Sequence, residues 1–119
     1  MTVVRFEPVA DESEIVTHNG TVYLSGQTSR EPANDVTGQT SATLRKIDAL
    51  LERAGTSKDR ILSTVICLAD SAALSAFRRA WDTWVPAGQL PARMIVQAKP
   101  IDPGCLVQIS VIAAKSYHG

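Results

Sequence analysis

Residues 90–98 read LPARMIVQA, which sets an arginine two steps after a proline inside what otherwise reads as a buried strand. An ionised guanidinium among apolar side chains carries a desolvation cost unless something anionic answers it. Arginine is also the side chain best shaped to grip a planar carboxylate by two parallel hydrogen bonds. Two answers are open for Arg93: an aspartate or glutamate of the same chain, or a carboxylate from outside. On a strand, Arg93, Ile95 and Gln97 share one face, and Ala92, Met94, Val96 and Ala98 share the other.

Two further stretches carry polar chemistry. YLSGQ, residues 23–27, ends a strand with Ser25 and Gly26, small residues that let a ligand approach the backbone. LVQIS, residues 106–110, sets the uncharged amide of Gln108 in the middle of an apolar strand, where it needs a protein, water or ligand partner. Cys67 and Cys105 lack CxxC spacing; Cys67, in STVICLA, reads as a small buried hydrophobe, and Cys105, after Gly104 in a turn, as the more exposed thiol. His18 reads as a solvated strand residue and His118 as frayed tail. Neither GxGxxG, a Walker A lysine nor HExxH occurs.

The elements that must position these residues follow from patterning. TVVRF (2–6) is a short strand candidate, and EIVTHNGTVYLSG is two β-rich runs joined by Asn19-Gly20, the type I′ hairpin dipeptide. QTSREPANDVTG reads as a loop. From about Asp35 to Ala54, Leu44, Ile47, Leu51 and Ala54 recur at helical spacing, with Arg45, Lys46, Asp48, Glu52 and Arg53 opposite and Gly55 placed to stop the helix. RILSTVICLAD reads as a central strand. Asp70 or Ser71 then caps a second helix, on which Leu74, Phe77, Trp81 and Trp84 form a core stripe, before two closing strands, ARMIVQA and LVQISVIAA. The order is βββαβαββ. Two helices cover one face of such a sheet, and in the last strand both faces are too apolar for open water, so the sheet is expected to meet another subunit.

Bulk properties narrow the class. A chain of 119 residues is expected to form one domain, residues 1–119. Twelve basic and twelve acidic residues balance to zero formal charge, and no basic run exceeds two residues, which argues against nucleic acid as a partner. No run approaches the ~20 apolar residues needed to span a bilayer, and the N-terminus lacks a signal-peptide stretch, so no membrane partner and a cytoplasmic location are expected.

The hairpin ending in SGQ, the helix closing with LLERAG, the strand ILSTVICLAD, the aromatic helix, PAR opening a strand and the last strand ending IAA together resemble the RidA/YjgF family, from about Val16 to Lys115. IDALLERAG, AWDTWVPAG and VQA look most like its YoaB-type branch. The resemblance implies an α+β, chorismate-mutase-like fold, with a six-stranded mixed sheet, two helices on one face, and three subunits packed sheet to sheet around interfacial pockets. It implies that Arg93 binds a substrate carboxylate with help from the backbone of Ile95, and that Ser25 and Gly26 lie at the pocket wall.

The chain departs from that pattern at Gln108, where the RidA branch carries the glutamate that activates water. An amide orients water but exchanges no proton at neutral pH. Glu12 or Glu14, near the position of the family's pocket tyrosine, are the candidate replacement acids. The expected activity is hydrolysis of small 2-imino acids of the 2-aminoacrylate type to 2-oxo acids and ammonia, with neither metal nor other cofactor. The alternative is a module that binds small carboxylates, or a protein partner, without deaminase chemistry.

Overall fold

The structure is a computed structural model and describes residues 2–9 and 11–116. Eight elements follow in order: β1 (Val3–Val9), β2 (Glu12–His18), β3 (Thr21–Thr28), α1 (Val36–Arg53), β4 (Ile61–Leu68), α2 (Leu74–Trp84), β5 (Ala92–Gln97) and β6 (Val107–Ala114). The expected βββαβαββ order is the observed one. β1 runs three residues further than TVVRF predicts, and the polar loop shrinks to 29–35, because β3 continues through Thr28 and α1 starts at Val36. His118 lies outside the described residues.

Local chemistry sets the turns. Asn19 and Gly20 both take positive φ, 57° and 79°, as a type I′ turn requires, and pair His18 with Thr21. Asp35 caps α1 by accepting from the Gly38 N–H at 3.0 Å. At the other end Gly55 (φ 78°) reverses the chain: its N–H donates to the Glu52 carbonyl and that of Thr56 to Leu51, which closes the helix in a Schellman arrangement. Asp70 caps a 3-10 turn at 71–73 through the Ala72 N–H, and α2 begins after it.

The sheet order is β1-β2-β3-β6-β4-β5, antiparallel except for the β4–β5 pair. Both helices lie on one face. Leu44, Ile47 and Leu51 of α1 and Phe77 and Trp81 of α2 pack on Ile15, Val22, Ile66, Ile109 and Val111 of the sheet. Each such fully buried side chain contributes ~1.5–3 kcal/mol to folding.

The opposite face of the sheet is bare. In register across it lie Tyr23, Ile112, Ser63 and Ala92; then Ser110, Val65 and Met94; then Gln108, Cys67 and Val96. Met94 is 58% exposed, and Tyr23, Val65 and Ile112 are exposed with it.

Two expectations are corrected here, one for β5 and one for the cysteines. β5 is an edge strand, with Ala92, Arg93 and Met94 exposed, because only β4 pairs with it in this chain. β4 is central, as expected, with one side buried because helices cover that side alone. The two cysteines exchange roles: Cys105 is buried at the root of β6, and Cys67 is half-buried on the bare face.

Candidate functional site on the open edge of the sheet

β5 carries the candidate residue Arg93, and its outer edge has no strand of this chain beside it among the described residues. The Ala98 N–H donates to the Leu68 carbonyl, on β4, at 2.9 Å. Backbone groups alternate in direction along a strand, so the N–H groups of Arg93, Ile95 and Gln97 point off the open edge. The amide at Ile95 is therefore free to meet an external acceptor.

The side chain of Arg93 projects on the helix side, in register with Thr64 and Val111, both buried beneath the helices. Its guanidinium lies 5.7 Å from the centroid of the Trp81 ring. Among the described residues the ion pairs are Arg30–Asp102 and Arg53–Glu7, and Arg93 takes no part in them. Among the described residues no carboxylate answers Arg93; an aromatic face does. A cleft of about 320 Å³ opens in front of it, lined by Trp81, Asp82, Val85, Leu90 and Pro91.

Further along β5, Ile95 and Gln97 border a second cleft of about 360 Å³ with Leu68, Ser71, Leu74 and Arg78. Helical patterning sets Arg78, Arg79 and Asp82 facing water; in the structure Arg78 and Asp82 each border a cleft beside β5. The i, i+4, i+8 spacing of Leu74, Arg78 and Asp82 is the signal that places them on one flank.

Gln108 is brought to Gly26. β3 and β6 slip register between Leu24 and Gln27, which bulges Ser25-Gly26 against β6. The Gln108 amide fills the space that a Cβ at position 26 would need. The small residue thus admits the glutamine. Ser25 Oγ accepts from Gln27 Nε2 at 3.2 Å.

The chain does not unite Gln108 with Arg93. Gln108 is in register with Cys67, and through it with Val96, on the bare face, whereas Arg93 faces the helices. Two strand spacings and three residues separate their Cα atoms by about 14 Å. Glu12 is exposed at the far end of the β1–β2 hairpin, paired with Val9. Glu14 lines a different cleft with Glu7, Gln27, Lys46 and Arg53. Neither carboxylate is beside Gln108 within one chain.

The loops leading into β6 are held by a residue the sequence reading passed over. Gln39, fully buried in α1, donates to the carbonyls of Arg30, Pro32 and Gly104 and accepts from the Leu106 N–H at 2.8 Å. Arg30 also hydrogen-bonds Asp102 and thereby holds its carboxyl below the usual carboxylate range, against an opposing effect of desolvation. No group of three or more His, Cys, Asp or Glu suited to a metal ion occurs among the described residues. No described helix is long and apolar enough to cross a membrane.

Comparison with known proteins agrees with this architecture. The sequence model of the family described as Endoribonuclease L-PSP matches residues 2–115. The chain is 43% identical over 114 residues to the RutC family protein YoaB of Escherichia coli strain K12, covering 96% of this chain and 99% of that protein. A member of the YjgF protein family from Neisseria meningitidis superposes with a TM-score of 0.93 at 34% identity, over 98% of this chain and 97% of that one. A putative translation initiation inhibitor from Salmonella typhimurium gives 0.85 at 38% identity, over 95% and 97%. With the six-stranded mixed sheet, the two helices on one face and the matched sequence together, the fold is chorismate-mutase-like, and the chain belongs to the RidA/YjgF family, whose sequence model is described as Endoribonuclease L-PSP.

Proposed function

We propose that this protein is a deaminase of small 2-imino acids, working as a homotrimer in which each site is shared by two subunits. The observation that carries the reading is the placement of Arg93. It lies on an open strand edge, without an acidic partner among the described residues, beside the outward N–H of Ile95. That pair suits one carboxylate, with the guanidinium supplying two donors and the backbone a third. The opposite facing of Arg93 and Gln108 means that a site using both must take Gln108 from a second copy. The exposed apolar face around Val65, Met94 and Ile112 supports such packing.

In this reading Arg93 and Ile95 fix the carboxylate of one imino acid, and the carbonyl oxygen of a neighbouring Gln108 orients water toward the C=N carbon. The water oxygen bonds to that carbon, the C=N π pair moves to nitrogen, and one water proton follows it. The resulting carbinolamine passes its hydroxyl proton to nitrogen; the C–N bond then breaks, leaving a 2-oxo acid and ammonia. Gln108 exchanges no proton, so catalysis rests on position and on the electrophilicity of the imine. The experiment is a coupled assay in which purified protein is added to freshly generated 2-aminoacrylate. Faster loss of the imine, abolished in Arg93→Ala, is the expected result. Unchanged decay with retained binding of 2-oxo acids favours the second reading, a carboxylate-binding module without chemistry, for which the neutral Gln108 is the supporting observation.

A further inference from the structure

Between the two helices lies a cleft of about 340 Å³ that shares no lining residue with those beside β5. Hydrogen bonds tie the helices together at either end of it. The Thr37 hydroxyl donates to the Ala76 carbonyl at 2.8 Å, and the Trp84 indole N–H donates to Asp48 at 3.0 Å. Between these ties Arg45 lines the cleft from α1 and Arg79 from α2, both exposed. Lys58, half-buried in the 3-10 turn before β4, lines it as well, with its Nζ 5.4 Å from the centre of the Trp84 ring. Three cations therefore share one cleft, and none belongs to an ion pair among the described residues. No carboxylate is in the lining; Asp48, at the Trp84 end, is engaged by the indole. The floor is apolar, from buried Leu44 and Ala80. Folding thus gathers like charges from three separate segments, and their repulsion goes unanswered within the described chain.

We propose that this cleft binds a small phosphorylated molecule, with its phosphoryl oxygens on Arg45, Arg79 and Lys58 and its carbon skeleton on Leu44 and Ala80. The site is separate from the one proposed around Arg93 and does not depend on it. A phosphoryl group carries about −1.5 to −2 charge on three strong acceptor oxygens, enough to engage two guanidinium groups and an ammonium at once. A monocarboxylate offers one charge on two oxygens. The reach is suitable: axes of packed helices lie ~8–10 Å apart, so arginines on both walls of the cleft close on one group set between them. Ser41 adds a hydroxyl to the α1 wall. The chain as a whole has zero formal charge, so the attraction belongs to this cleft and suits a small anion better than a long polyanion.

The test is calorimetric titration of the protein with phenyl phosphate and with inorganic phosphate, at low ionic strength so that exposed charges are little screened. Phenyl phosphate is expected to bind, and to bind more tightly than inorganic phosphate because its ring covers the apolar floor. Arg45→Gln and Arg79→Gln should each weaken it about tenfold, the scale of one charge-assisted hydrogen-bonded contact. Both changes put a good helix former at an exposed helical position, so the fold is kept. Arg5→Gln, which removes the same charge from the exposed edge strand β1, should change the affinity by less than about twofold. Failure of phenyl phosphate to bind overturns the proposal. So does an equal loss in Arg5→Gln, which would mean attraction to basic side chains in general. Binding that survives Arg45→Gln and Arg79→Gln but is lost in Arg93→Ala would put the anion beside β5, and overturns it too. Inorganic phosphate bound as tightly as phenyl phosphate overturns the placement of the carbon skeleton on Leu44 and Ala80.

Discussion

The side chain of Gln108 lies against the backbone of Gly26, its Cδ and Cγ within 3.3 Å of where a Cβ would sit, at the one register slip between β3 and β6. Gly26 has no positive φ, so this glycine is required for space and not for backbone conformation. Gly26→Ala is therefore expected to displace Gln108 at a cost of about 1–2 kcal/mol. Pairing it with Gln108→Ala should recover most of that loss, because the collision disappears. Thermal melts of the two single variants and the double variant decide it; additive losses would mean that the alanine meets something else.

Arg93 makes a stacking contact and no described ion pair, so its removal leaves no buried acid stranded. Arg93→Ala should lower stability by less than about 1 kcal/mol, the scale of an exposed cation–π contact. Loss of a buried ion-pair partner would instead cost ~3–5 kcal/mol. Binding of 2-oxo acids should fall below detection in the alanine variant and recover poorly in Arg93→Lys, since an ammonium lacks the two-pronged geometry. Denaturant melts and ligand titration on the same samples separate the two effects.

Gln108→Glu is nearly isosteric and puts a proton-exchanging group on the bare face. A positioned acid–base residue contributes ~10²–10⁴-fold, so a gain of about tenfold in imine hydrolysis is expected even with imperfect geometry. Initial rates on fresh imine, from about pH 6 to 9, test this. A wild-type rate equal to the variant's would show that another group handles the proton.

Val65 stands in the middle of the bare face, in register with Met94 and Ser110. Val65→Asp places a charge there without touching the helix-side core. If copies pack through this face, the variant should sediment as a single chain of 12.8 kDa while keeping the circular dichroism of the wild type. A wild-type protein already monomeric at micromolar concentration would remove the shared-site proposal.

Gln39 satisfies four backbone partners from inside the core. Gln39→Leu keeps the volume but strands the Leu106 N–H and three carbonyls, an expected loss of about 3 kcal/mol. Because that network anchors the loop entering β6, amide exchange should quicken first around residues 102–106. Hydrogen exchange followed residue by residue is the measurement, and uniform acceleration across the sheet would contradict the local role.

Patterning alone determined the element order, the hairpin at Asn19-Gly20 and the stop at Gly55. Each depends on neighbours within a few residues, where sterics and hydrophobic period act directly. Local sequence did not reveal that ARMIVQA is an edge strand, that Cys105 is the buried thiol, or that Gln39 joins two distant loops. Those features depend on long-range pairing, which joins residues 29 apart between β4 and β5 and 39 to 52 apart between β4 and β6. The facing of Arg93 and Gln108 is the sharpest case. Each strand's alternation could be read from sequence, but the relation between the two strands needed the β6-β4-β5 register, because a shift of one residue turns every side chain to the other face.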